Sequence, residues 1–164
     1  MKLCSKSTRL RTKSEPFFPL DYFWDMNTSL LIQIHSVLAL LLLALLPLTM
    51  LVLILKKPIS ALLSLGCTLT AHLQLLLGLT LYFVGSNGYL LFKTGEAMSN
   101  PQYRFYAVEH ISTMIIAIVL FTIARAKTKR SEGGEKWKAP VMLYALGFAL
   151  LLSRVPWDRW SFGM

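Results

Sequence analysis

Four long apolar runs dominate the chain and are separated by short polar segments. They cover about residues 30–55, 59–84, 105–126 and 139–155. A helix of about 20 mainly apolar residues is long enough to cross the roughly 30 Å hydrocarbon core of a membrane. The pattern therefore predicts an all-α integral membrane protein. Because the connections are short, we expect an up-and-down four-helix bundle.

Composition agrees with this interpretation. The 164 residues are 55% hydrophobic, and the mean hydropathy is +0.55. The net charge of +9 would suggest a nucleic-acid partner in a soluble protein, but here the charges lie in loops, so we predict none. The sequence contains no zinc-type cysteine spacing, no Gly-rich phosphate loop and no nucleophile elbow.

The cations predict an orientation. Outside residues 1–25, most of them lie in the loops 56–58 and 127–138 or, for Arg125, two residues before the second loop, and we call this side of the bundle the basic end. Its cations are Lys56, Lys57, Arg125, Lys127, Lys129, Arg130, Lys136 and Lys138. The positive-inside tendency places both loops in the cytoplasm.

Residues 1–25 form a basic extension that opposes this orientation. Two interpretations remain open: a disordered basic arm, or a start-site artefact in which Met26 is the natural first residue. Either way, we expect residues 26–164 to form a single transmembrane domain.

The three histidines, His35, His72 and His110, all fall inside predicted spans. Counted at 1.5 Å per residue, His35 and His110 lie roughly 8 Å below the end opposite the basic end, and His72 lies roughly 18 Å deep. Ionisable side chains at such depths usually face the interior of a bundle. We therefore expect these rings to point inward, with Gln74 and Met114 among their neighbours.

Two imidazoles at equal depth on antiparallel helices suit a haem iron, so His35 and His110 are the predicted axial ligands. A pair of His72 with His110 is the alternative and requires an offset of about a turn and a half. A bare transition metal is a competitor, although no further cluster completes its coordination. A structural interpretation, in which each histidine bonds to a neighbouring helix, also remains open.

Glu109 precedes His110 and points about 100° away around the helix. We expect it to pair with Arg154 or Arg104, either fixing helices together or accepting a proton from a histidine or a quinol. In the second case both arginines are candidates to bind haem propionates.

Several segments resemble a known family. They are "IHS" in the first helix, "AHLQLLLGLTLYF" in the second, "RFYAVEHISTMIIA" in the third and "RVPW" after the fourth. From about Met26 to Trp157 the chain resembles small bacterial four-helix integral membrane proteins labelled cytochrome b. The resemblance implies a b-type haem, electron transfer and a bacterial cytoplasmic (inner) membrane location.

The functional prediction is a membrane cytochrome that passes single electrons, to or from quinone or a membrane redox partner, rather than a stand-alone enzyme. His72 is then a deeper residue that supports the site or relays protons. The alternative is a cofactor-free accessory subunit or small carrier whose histidines pack or relay protons.

Overall fold

The computed structural model describes residues 20–85, 88–130 and 137–157, with side chains from Thr28 onward. These residues are helical throughout except for short turns, so the prediction of an all-α fold is confirmed. The main helices are α1 (Leu20–Ile54), α2 (Ser60–Val84), α5 (Ile111–Arg130) and α6 (Lys138–Ser153). Between α2 and α5 lie α3 (Tyr89–Thr94), a 3₁₀ turn (Glu96–Met98), α4 (Pro101–Arg104) and a π-helix (Phe105–His110).

Three helical segments are long and apolar enough to cross a membrane. They are Thr28–Ile54, Ser60–Val84 and Pro101–Arg130, and the last is a continuous run through α4, the π-helix and α5. The fourth predicted span corresponds to α6, a shorter apolar helix. A fourth crossing therefore stays a prediction.

The helix boundaries differ from the sequence pattern mainly at two places. Helix α1 begins at Leu20, so residues 20–25 of the predicted extension are helical. The prediction for residues 1–19 lies outside the described part of the chain. The third helical run begins at Pro101, where the Asn100 side chain accepts a hydrogen bond from the Gln102 backbone N–H at 2.8 Å. An Asn cap followed by proline is a favourable helix start.

The turn between α1 and α2 is closed by backbone hydrogen bonds. The N–H of Lys57 donates to the carbonyl of Val52, and that of Lys56 donates to the carbonyl of Leu53, both at 3.1 Å. Lys56 has a φ of 52°, in the left-handed region. This is the Schellman arrangement, in which glycine normally occupies the left-handed position.

The four main helices pack around a common core. Helix α1 contacts α2 and α6, and α5 also contacts α2 and α6, so α1 and α5 lie diagonally opposite. The core contains Leu42, Leu46, Leu53, Cys67, Ala71, Ala117, Phe121, Ala124, Tyr144 and Leu151. Gly147 on α6 lies directly against the Phe121 ring of α5, which brings these two helices close together. The buried residues Tyr144, Gly147 and Leu151 form one face of α6.

Candidate functional site

Two of the three histidines approach each other across the diagonal of the helix assembly. His35 lies on α1, and His110 is the last residue of the π-helix that leads into α5. Both are partly buried, and they are close enough to influence each other electrostatically. The two residues that the sequence predicts as a pair therefore lie at the same end of the helix assembly.

The His110 ring is held by the chain segment that follows α6. Its Nδ1 lies 2.9 Å from the backbone carbonyl oxygen of Arg154. A carbonyl only accepts hydrogen bonds, so Nδ1 carries the proton and donates it. In the neutral ring this leaves Nε2 with a free lone pair. Metal-binding histidines are usually fixed in this way, by a hydrogen bond from the other ring nitrogen to a carbonyl.

His35 lies against α2 at a position where that helix has no side chain. A Cβ added to Gly78 would lie 3.3 Å from His35 Cε1, so the glycine leaves room for the ring. One turn earlier, the amide Nε2 of Gln74 donates to the His35 backbone carbonyl at 2.8 Å. The Nδ1 atom of His35 is buried and has no hydrogen-bond partner. A buried ring nitrogen without a partner is rare and calls for an explanation such as an absent ligand or ion.

Glu109 joins two arginines beside this pair. One carboxylate oxygen accepts from Arg104 Nε at 2.8 Å, and the other lies 2.9 Å from Arg154 Nη1. Both expected partners are thus present together, and the ion pairs connect the start of the third helical run to the end of α6. This favours the structural interpretation of Glu109. Each arginine uses one nitrogen in these pairs, so the remaining N–H groups can still meet another anion.

The π-helix places an aromatic surface next to His110. The ring centroids of Phe105 and His110 are 6.0 Å apart. On the outer side, a pocket of about 550 Å³ that is open to the surface is lined by Gln102, Phe105, Tyr106, Val155, Pro156 and Trp157. Single π-helical turns occur frequently at functional sites, because they change the direction of the side chains that follow. The sequence analysis did not predict this element.

His72 is separate from the other two histidines. Its side chain is exposed on the outside of α2, and Nδ1 lies 2.8 Å from the Thr68 carbonyl oxygen of the same helix. His72 is six residues from Gly78, which corresponds to ~9 Å along the axis of α2. Gly78 lies beside the His35 ring and so marks its level. The expectation that its ring faces the interior was therefore wrong, although the predicted difference in depth agrees. Its proposed roles as alternative ligand or proton relay stay predictions.

The remaining predicted neighbours differ in their placement. Met114 is partly buried and packs against the core, and the side chain of Gln74 donates to the backbone carbonyl of His35. Across the residues with described side chains, no group of three or more His, Cys, Asp or Glu could hold a metal ion. A bare metal ion normally needs such a group, whereas a haem iron needs only two axial ligands, because the porphyrin supplies four nitrogens.

Comparisons of the chain with protein-family models, with curated proteins and with solved structures found no match.

Proposed function

We propose that the chain is a four-helix transmembrane protein that holds a b-type haem between His35 and His110. One observation carries the proposal: the imidazoles of His35 and His110 are close enough to interact electrostatically, the His110 ring is fixed through Nδ1, and Nδ1 of His35 is buried without a hydrogen-bond partner. When bound, the haem would supply one-electron transfer.

The protein groups around the pair have definable roles. The Arg154 carbonyl fixes the tautomer of His110 and presents Nε2 as the ligand atom. Gly78 leaves the space that the His35 ring occupies. Arg104 and Arg154, held in place by Glu109, offer their remaining N–H groups to propionate carboxylates.

The cavity beside the π-helix is the proposed contact with quinone. Its volume of about 550 Å³ lies within the ~300–1,000 Å³ range of small-molecule sites, and half of its lining residues are aromatic. Phe105 lines the cavity and also contacts His110, which gives a short path between the two sites. A membrane redox partner is the other class of electron donor or acceptor that this location allows.

The proposed location is the bacterial cytoplasmic membrane, with the basic end in the cytoplasm. Lys56 and Lys57 lie in the turn after α1, and Lys127, Lys129 and Arg130 lie in the last turns of α5. Both groups therefore lie at the end away from the histidine pair. These residues are cations of the basic end, which the positive-inside tendency places in the cytoplasm.

Haem content of single variants tests the proposal. His35→Ala and His110→Ala should each lose haem when the protein is expressed with haem supplied. His72→Ala is the matched control, because its ring is exposed outside the pair, and it should keep haem. Loss of haem from His72→Ala, with retention in His35→Ala, would overturn the assignment. Absence of haem from the wild-type protein would instead favour a cofactor-free accessory subunit or carrier.

A further inference from the structure

Two side-chain contacts in the third helical run join residues that are five positions apart. Arg104 Nε donates to a carboxylate oxygen of Glu109 at 2.8 Å, and the ring centroids of Phe105 and His110 are 6.0 Å apart. In an α-helix, residues five apart point about 140° away from each other, so neither contact would form. In a π-helix the backbone itself joins residues five apart. Both contacts therefore depend on the π-helical turn Phe105–His110.

An α-helical turn over the same residues would place a different side chain next to His110. Neighbours on one face of an α-helix are three or four residues apart. Tyr106 would then precede His110 by one turn, and Phe105 would precede Glu109. The π-helical turn thus exchanges a phenol for a phenyl ring beside the histidine.

Glu109 lies where it can hold this turn together. Its two carboxylate oxygens meet Arg104, at the start of the turn, and Arg154, at the end of α6, at 2.8 Å and 2.9 Å. The next residue, His110, bonds through Nδ1 to the Arg154 carbonyl at 2.9 Å. The end of the turn is therefore fixed to α6, and the ion pair with Arg104 draws the preceding helix α4 onto it. A rotation of α4 into the α-helical register would break only the Arg104 pair.

We propose that the ion pair of Arg104 and Glu109 is a positioning contact that holds the π-helical turn and keeps the Phe105 ring, rather than the Tyr106 phenol, beside His110. A phenol O–H can donate to a free imidazole nitrogen, whereas a phenyl ring cannot. The turn therefore leaves Nε2 of His110 available to a ligand. This consequence for the histidine rests on the proposed haem site, but the geometry of the turn does not.

Disulfide formation tests the geometry of the turn. The pair Phe105→Cys with His110→Cys is made in a chain whose native cysteines are replaced by alanine. Cα atoms more than about 7 Å apart cannot be bridged, and residues five apart in an α-helix lie ~9 Å apart. The matched control is Thr122→Cys with Lys127→Cys, which has the same spacing in α5 and exposed side chains. With copper–phenanthroline as oxidant, the first pair should lose maleimide labelling at least about tenfold faster than the control.

The same assay tests the role of the ion pair. Added to the first cysteine pair, Arg104→Gln and Glu109→Gln should each slow disulfide formation about two- to fivefold, as expected for the loss of a partly exposed ion pair. Arg104→Lys keeps the charge and should keep the original rate. Lys93→Gln is the matched control, because it removes an exposed cation of the neighbouring helix α3, and it should leave the rate unchanged.

A second cysteine pair, Arg104→Cys with Glu109→Cys, spans the same turn and leaves His110 in place. Its disulfide should also form, and circular dichroism of each variant separates an altered turn from a failure to fold. Disulfide formation no faster than in the α5 control would overturn the π-helical geometry. Equal rates with and without the Arg104 charge would overturn the role of the ion pair. Neither result requires haem, so a wild-type protein without haem would refute the proposed function and leave this test decisive.

Discussion

Gly147→Ala tests whether α5 and α6 pack as closely as the structure indicates. The added Cβ would lie 2.5 Å from Phe121 Cε1 and 3.0 Å from Cδ1. Ordinary carbon contacts lie at about 3.5–4.0 Å, so the ring must move by roughly 1 Å. Phe121 is 0% exposed and stacks on Tyr144 with centroids 6.0 Å apart, so its movement disturbs a second buried ring. Overpacking of this kind lowers the free energy of unfolding by about 1–3 kcal/mol.

Gly66→Ala is the matched control for this prediction. A Cβ at Gly66 has nothing within 4 Å, so the substitution adds no contact. Since alanine favours a helix over glycine by up to ~1 kcal/mol, Gly66→Ala should leave stability unchanged or raise it. The free energies are measured by reversible unfolding of detergent-solubilised protein in increasing dodecyl sulfate, followed by circular dichroism. Equal effects of the two substitutions would refute the close approach of α5 and α6.

Three further substitutions test separate features. Lys56→Gly should raise the free energy of unfolding by about 1 kcal/mol in the same assay. The left-handed conformation of Lys56, with φ of 52°, costs a non-glycine residue about that much. A decrease in the free energy of unfolding would contradict the turn geometry. Glu109→Gln should lower the free energy of unfolding by less than about 1 kcal/mol, because the side chains of its partners Arg104 and Arg154 are 46% and 38% exposed. A decrease of more than ~3 kcal/mol would contradict this. Gly78→Val should reduce haem content by displacing the His35 ring, whereas Gly66→Val should not; equal haem content would argue against the placement of His35.

The sequence predicted features that depend on helix length and spacing. The long apolar runs give the helices, and Gln74, which was expected among the neighbours of the histidines, bonds to the backbone carbonyl of His35. The pairing of Glu109 with its arginines followed from their positions at one end of the chain's helices. Helix length and the spacing of residues along a helix depend only on the order of residues in the chain, so they can be predicted from the sequence.

The direction of His72 could not be predicted in the same way. In a membrane protein, leucine is stable both inside the protein and facing lipid, so the hydrophobic pattern does not mark the inner face. Thr68 is buried and His72, one turn later, is exposed. The boundary between the two faces passes between them, and only the packing of neighbouring helices determines where it lies.

The π-helix was also missed, for a different reason. The residues Phe105–His110 have an ordinary apolar and aromatic composition, and a wider helical turn has no distinctive residue preference in this segment.

The central claim is that the chain holds a haem between His35 and His110. A reduced-minus-oxidised absorption spectrum of the purified wild-type protein, expressed with haem supplied, tests it most directly. The proposal predicts the α-band of a b-type haem with two axial imidazoles. A spectrum without this band, from folded protein with all three histidines intact, would contradict the claim.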